Sequence, residues 1–333
     1  MTLNVAVIGV GAIGKHHARV LSNLADARLT AVVDKNESVA KDVANAYGAI
    51  AYVDHRSMLE RERPHAVSIA VPTPLHRGIA LDALASGCDI LIEKPIAMTV
   101  AEARDILDAA KAAGKQVMVG HVERFNPAII ALKECLGRNE LGNILHMEAR
   151  RQGPFPPRMQ GDIGVVLDLA VHDIDVMRFV TGDDVERVYG ETMGCIGRKR
   201  TDMLSGLLRM RGGIIGTLNI NWMTPTKIRE FSVIGERGMM TVNYLTQELT
   251  FFENASARNG TWEPLDIFRG VSEGRVVRAA IVRHEPLAAE LEAFVSCVQN
   301  GRDMPVSGED GIAALHIAVA LETSGTTHAM IEP

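Results

Sequence analysis

Short apolar runs rich in β-branched residues alternate with amphipathic segments through the first third of the chain. The opening run, residues 5–8 (VAVI), has the length and branching of a buried parallel strand. Comparable runs follow at residues 29–33, 66–71, 89–92 and 116–119, with a short strand or loop beginning at Tyr52. Between them, residues 38–47, 57–63, 75–86 and 99–113 carry helical periodicity, the last with Thr99 as N-cap and Glu102 three residues on. Strands alternating with helices predict a parallel sheet covered on both faces. Beyond residue 121 the period changes. A helix over 126–136 leads to an alternating strand at 144–151, a proline-rich loop at 153–158 and a long helix at 165–181. Strand-like blocks then recur at 185–196, 203–211, 214–223, 228–234, 239–244 and 248–253, with no helix long enough to separate them. That pattern predicts an open, mainly antiparallel sheet. Residues 260–284 carry no clear pattern, and helices over 286–299 and 308–323 close the chain.

The first strand runs into Gly9, Gly11 and Gly14, spaced G-x-G-x-x-G, with Ala12 and Ile13 between the last two. Such glycines allow a tight turn, close backbone approach to a pyrophosphate, and close packing of helix on strand. The helix N-terminus then presents its N–H groups to the phosphates. The second strand closes on Asp34, twenty residues beyond Gly14, where this fingerprint places an acid for the ribose hydroxyls. An acid there repels a 2′-phosphate and favours NAD over NADP, while Lys35 beside it tempers the preference. The expected architecture is therefore α/β. Residues 1–121 form an NAD-binding Rossmann domain with a doubly wound parallel sheet. Residues 122–333 form an α+β domain for substrate binding and oligomerisation, and the terminal helices can pack back on the first domain.

The totals exclude several functions. Apolar residues are 47% and charged residues 23% of the 333, an ordinary globular composition. Net charge is −6 and no basic run follows a nucleic-acid backbone, so nucleic acid is not an expected partner. No apolar run reaches membrane-spanning length, and the first strand begins too early to leave room for a signal peptide. Cys88, Cys135, Cys195 and Cys297 lack metal-ligand spacing and read as reduced thiols of a cytoplasmic protein.

Candidate chemistry gathers where strands end. Val71, Pro72, Thr73 and His76 lie in a loop at the carboxyl end of a parallel strand, the edge where ligands bind in such sheets. Glu93 and Lys94 follow the next strand, with Pro95 pinning the backbone; a surface lysine beside a turn proline is the plainer alternative. On the 165–181 helix Asp168 and His172 are four apart and share a face, with Asp175 nearly one turn further. A carboxylate beside an imidazole suits proton exchange with a hydroxyl. A solvated acidic face and a metal site are the other readings of that helix. No second His or Cys stands at a matching interval, and no metal is expected.

Together, Gly9 to Gly14, Val71-Pro72-Thr73-Pro74-Leu75-His76, Glu93-Lys94-Pro95 and Asp168-x-x-x-His172-x-x-Asp175 resemble the Gfo/Idh/MocA oxidoreductase family. The resemblance implies a Rossmann domain and a larger domain whose sheet serves oligomerisation, as a homodimer or homotetramer. It implies NAD as cofactor, with Lys94 and His172 flanking the substrate and Asp168 in support. Residues 120–127, 151–158 and 162–173 are similar to UDP-N-acetylglucosamine 3-dehydrogenases of that family. Leu169-Ala170-Val171 departs from the broader family pattern, in which a Gly commonly follows the Asp.

This likeness implies oxidation of a UDP-sugar at the C3 hydroxyl, with an aminotransferase consuming the keto product. Arg124, Arg151 and Arg158 are then substrate-binding candidates, together with Lys94, Asp168 and His172. Arg150 and Arg151 face opposite ways on an alternating strand, so one at most points at the site. Arg158, just past the prolines, is the better pyrophosphate ligand. Three rivals remain: another sugar or polyol dehydrogenase such as one for inositol, an NAD-dependent glycosidase, and a non-catalytic nucleotide-sensing protein on the same scaffold. Intact Lys94, Asp168 and His172 argue against the last.

Overall fold

The computed structural model describes residues 2–155, 163–194, 200–255 and 273–333. By its contacts the chain forms two compact units. The first holds Met1–Phe125, Pro156–Asp175 and Glu285–Val319; the second holds Asn126–Phe155, Val176–His284 and Ala320–Pro333.

In the first unit, strands β1 (Leu3–Ile8), β2 (Ala27–Val33), β3 (Ile50–Tyr52), β4 (Ala66–Ile69), β5 (Asp89–Glu93) and β6 (Val117–Gly120) form one sheet. Every pair is parallel and the order is β3-β2-β1-β4-β5-β6. This is the doubly wound Rossmann order that the strand–helix alternation predicts, with its topological switch between β1 and β4. Helices α1 (Gly14–Asn23), α2 (Glu37–Tyr47), α3 (His55–Glu62), α4 (His76–Ala85) and α5 (Val100–Ala113) connect the strands. Local chemistry sets their ends. Asn36 accepts from the N–H groups of Ser38 and Val39 at the start of α2, and Gly48 closes it at φ 68°. Thr99 caps α5 by accepting from Glu102 N, while Glu102 reaches back to Met98 N, one residue short of the usual reciprocal bond.

Past β6 come α6 (Pro127–Gly137), β7 (Ile144–Pro154) and α7 (Val171–Thr181), the last preceded by a π-helical turn over Val166–Ala170. The second unit is built on β7 with β8 (Val185–Met193), β9 (Met203–Met210), β10 (Ile215–Asn221), β11 (Met223–Gly235), β12 (Gly238–Asn243), β13 (Glu248–Asn254) and β14 (Glu273–Arg278). Their order is β14-β13-β12-β11-β7-β10-β9-β8, antiparallel except for the β7–β10 pair. The open, mainly antiparallel sheet expected from the sequence is present. β14 adds a strand within residues 260–284, where no periodicity is readable. Val276 and Val277 are neighbours and so point to opposite faces, which leaves neither face an apolar period to read.

Register assigns the two faces of this sheet. Met147, Leu208, Leu218, Val233 and Met240 lie on one face and are buried. On the other, Leu207, Ile215 and Ile234 are exposed, around an Arg150–Glu230 ion pair of 2.9 Å.

The chain closes with α8 (Pro286–Asn300) and α9 (Gly308–Thr327). In the first unit α8 packs on α1 and on the 3-10 turn Val122–Phe125. Residues Val306 and Ser307 pair with the open edge of β6 through Val119 N to Val306 O, 3.2 Å.

Glu290 of α8 is fully buried, and neither carboxyl oxygen has a hydrogen-bond partner among the described residues. Burial, then the charges of Glu93 and Glu123, push this carboxyl well above the usual range, so it is held neutral. The folded chain therefore keeps a proton that the unfolded chain releases above about pH 4.3. Stability from this group is complete below that pH and falls as pH rises toward the folded-state pKa. Glu290→Gln cannot ionise. Urea midpoints should show the variant level with or behind the wild type at about pH 5 and ahead at about pH 9. Parallel curves would show that Glu290 does not titrate in the folded protein.

Candidate active site

The glycine loop follows from sterics. Gly9 has φ +87°, and a Cβ there would lie 2.7 Å from Ala70 O. At Gly14 a Cβ would lie 1.7 Å from Gly9 O, so only glycine lets α1 start against the loop. Gly11 differs: among the described residues, nothing beyond its chain neighbours lies within 4 Å of its Cβ position. The loop is thus closed toward the sheet and open at the position where a pyrophosphate would approach. Ala12 and Ile13 are exposed beside it, and α1 has no side-chain cap on its first N–H groups. These features fit a dinucleotide.

Asp34 ends β2 against this loop. Its Oδ2 accepts from Val10 N at 3.1 Å and its Oδ1 from Asn36 N at 2.9 Å, while Lys35 is exposed. In the loop after β4, Val71 is half-buried, Pro72 exposed and Thr73 buried. His76 places its ring nitrogens 3.0 Å from Pro95 O and 2.9 Å from Val71 O, tying the loops after β4 and β5 together. Burial holds this imidazole below its ordinary pKa despite those carbonyls.

At the end of β5, the Lys94 ammonium donates to both the carbonyl oxygen of Asp168, 2.7 Å, and its Oδ1, 2.9 Å. The side chains are 14% and 6% exposed, so the pair is largely out of water. Asp168 sits within the π-helical turn, where Val171 N reaches Val166 O. Such turns recur at functional sites because they re-aim groups that a regular helix would align. His172, half-buried, stands in the first turn of α7. The structure thus joins Lys94 to Asp168 directly and sets His172 four residues on.

Asp175 is fully engaged. Arg124 donates to it twice, Nε to Oδ2 at 2.8 Å and Nη2 to Oδ1 at 2.6 Å, and also meets Asp310 at 3.0 Å. Burial opposes the guanidinium charge, but these carboxylates outweigh it and raise the pKa of Arg124. Asp310 is itself fixed by a capping box at the start of α9. Its Oδ2 accepts from Ser307 N and Oγ, and its N–H donates to Ser307 Oγ. Within the second unit, Arg151 is buried and lies 5.0 Å from the Tyr244 ring centroid, on the sheet face opposite Arg150. Arg158 lies outside the described residues.

Sequence reading missed three residues of this region. His17 lies on the buried side of α1, its Nδ1 2.8 Å from Ser68 Oγ and its Nε2 3.1 Å from Glu93 Oε1. Its signal was available: it falls three residues after Gly14, on the helix face that the glycine brings against the sheet. Asp310 was legible from the Ser-x-x-Asp spacing with Ser307. Glu290 had no local signal.

Comparison with known proteins agrees with this geometry. Residues 3–121 match the NAD-binding Rossmann fold of the Gfo/Idh/MocA oxidoreductase family, and residues 129–241 match that family's C-terminal domain. The chain is 28% identical over 324 residues to a UDP-N-acetylglucosamine 3-dehydrogenase of Acidithiobacillus ferrooxidans, covering 96% of this chain and 97% of that one. It is 27% identical to an inositol 2-dehydrogenase of Rhizobium meliloti, covering 96% of each. Among solved structures, the Acidithiobacillus ferrooxidans enzyme superposes with a TM-score of 0.85 at 26% identity, over 97% of each chain. A myo-inositol 2-dehydrogenase from Lactobacillus plantarum shares the fold, with a TM-score of 0.82 at 22% identity over 100% of this chain and 99% of that one. With the Rossmann strand order, the glycine loop and both domains of one family matched in sequence, this chain belongs to the Gfo/Idh/MocA family of NAD-binding oxidoreductases.

Proposed function

We propose that this chain is a cytoplasmic NAD-dependent dehydrogenase that oxidises the C3 hydroxyl of UDP-N-acetylglucosamine to the 3-keto sugar. The observation that carries the catalytic reading is the Lys94–Asp168 pair at the carboxyl end of β5. Bound NAD supplies the hydride acceptor, at its nicotinamide C4. The hydroxyl proton passes to His172, oriented with help from Asp168. Lys94 hydrogen-bonds the reacting oxygen and stabilises negative charge as the proton leaves, an effect of about 3–4 kcal/mol for a fixed donor. Arg124 acts here through Asp175 and Asp310 rather than on substrate, because its strongest bonds are to those carboxylates. Arg151 and Arg158 are the proposed diphosphate ligands. The 3-keto product is a substrate for an aminotransferase.

The substrate assignment is supported by similarity over the full length of a UDP-N-acetylglucosamine 3-dehydrogenase. A second reading, an inositol dehydrogenase, is favoured by an inositol 2-dehydrogenase of nearly the same identity and coverage. Absorbance at 340 nm with NAD across UDP-N-acetylglucosamine, free N-acetylglucosamine and myo-inositol separates them. Turnover confined to the UDP-sugar supports the proposal. Equal turnover of free N-acetylglucosamine removes the diphosphate from recognition, and preference for inositol replaces the assignment.

Three further outcomes are expected. Asp34 should make kcat/KM higher with NAD than with NADP, and Asp34→Ser should narrow the gap; a wild-type preference for NADP would defeat this assignment. Lys94→Ala and His172→Ala should each lower kcat by about a hundredfold or more while sparing NAD affinity. Folded variants with ordinary turnover would move the site elsewhere. Finally, the apolar side chains on the open face of the eight-stranded sheet should bury against a second copy, giving a dimer or tetramer. Light scattering at micromolar concentration that finds only monomer would refute that.

A further inference from the structure

Lys94 has a long, flexible side chain, so the direction of its ammonium depends on how firmly its backbone is held. Glu93 holds it. The Glu93 Oε2 accepts from the Lys94 backbone N–H at 3.2 Å, while Oε1 lies 3.1 Å from His17 Nε2. The other ring nitrogen of His17 meets Ser68 Oγ at 2.8 Å. The form protonated at Nε2 satisfies both contacts, donating to the carboxylate and accepting from the hydroxyl. Space for the carboxylate is reserved by Gly120, whose Cβ would sit 3.2 Å from Glu93 Oε1. His17 and Ser68 are fully buried, so few alternative partners compete. Burial works against the Glu93 charge, and the bond to His17 with the nearby Lys94 charge restores it, keeping its pKa low.

We propose that His17 is a positioning residue for Lys94: its imidazole fixes the Glu93 carboxylate, which in turn fixes the backbone from which the Lys94 ammonium reaches its working place. The inference rests on the reading of Lys94 as the group that meets the reacting oxygen. Two isosteric amides separate reach from burial. Gln at position 17 can carry an N–H to the Nε2 position and donate to Glu93, whereas Asn reaches only the Nδ1 position beside Ser68.

The first arm needs no substrate. Full-length enzyme saturated with NAD is trace-labelled with acetic anhydride, and acetylation at Lys94 is quantified against Lys115 and Lys41 by peptide mass spectrometry. His17→Asn should raise Lys94 labelling relative to Lys115 several-fold, and His17→Gln should return it toward wild type. Glu93→Ala, which removes the same link from its other end, should raise it equally, and the double variant His17→Asn/Glu93→Ala should add nothing further. Wild-type labelling of Lys94 in Glu93→Ala, or in a folded His17→Asn, overturns the proposal, as does equal failure of Gln and Asn to restore it.

The second arm uses UDP-N-acetylglucosamine deuterated at C3. His17→Asn should lower kcat by about tenfold to a hundredfold, the usual cost of a small misplacement, with NAD affinity unchanged and a larger isotope effect. A merely structural defect lowers the active fraction and leaves the isotope effect alone. If wild-type enzyme does not turn over this sugar, the substrate assignment fails, and the labelling arm still decides the role of His17.

Discussion

A lysine ammonium held almost out of water against one aspartate is the contact on which the proposed active site depends. Stability alone does not account for it. Replacing a buried ion pair with apolar side chains is often neutral or favourable, whereas removing one partner costs about 3–5 kcal/mol. The pair is therefore better understood as a way to keep a charge at the carboxyl edge of the sheet. Its geometry requires two departures from regular structure. β5 must end at Glu93 so that Lys94 leaves the sheet, and a π-helical turn must carry the Asp168 carbonyl as well as its carboxylate to the ammonium.

Around that pair the first unit keeps one buried and one half-buried carboxyl in opposite states. Glu93 is held as a carboxylate by His17 and the neighbouring Lys94, whereas Glu290, with no hydrogen-bond partner among the described residues, is held neutral. Depth differs, since Glu290 is fully buried and Glu93 half-buried, but the partners decide the sign of each shift. One negative charge is tolerated because an imidazole and an ammonium face it; a second, facing the first, is not. The protonated acid on α8 thus spares the Glu93 carboxylate a repulsion that would act on the very group bonded to the Lys94 backbone.

Most of this fold was legible in the chain because its strongest signals are local. Apolar runs separated by helical segments dictate a parallel sheet, and the glycine spacing identifies β1 and α1 before any contact is known. The antiparallel blocks of the second unit were equally readable, except β14, whose adjacent valines erase the alternation. The site was legible in part. Lys94, Asp168 and His172 stand out by position, but the π-helical turn at Val166–Ala170 is invisible to a reading based on a regular period. His17, Glu93 and Ser68 come together from three elements distant in sequence. The same is true of Arg124, Asp175 and Asp310. Only tertiary packing reveals that a guanidinium in a substrate-like motif is already paired with two carboxylates.

That last pairing bears on the choice between a nucleotide sugar and a polyol. In the proposed mechanism Lys94, Asp168 and His172 would serve any secondary alcohol, so discrimination must come from groups that meet the rest of the substrate. A UDP-sugar brings two phosphate charges into the site, and an inositol brings none. Arg124 brings one positive charge to two carboxylates, Asp175 and Asp310, so this cluster offers a diphosphate no surplus of positive charge. The cations must lie elsewhere. Arg150, Arg151 and Arg158 are the cluster the sequence provides, and Arg150 is turned to the open sheet face and paired with Glu230. Under the proposed function, recognition of a diphosphate is assigned to Arg151 and Arg158, which makes the charge of this one segment, rather than the proposed catalytic set, the feature that separates the two substrate readings.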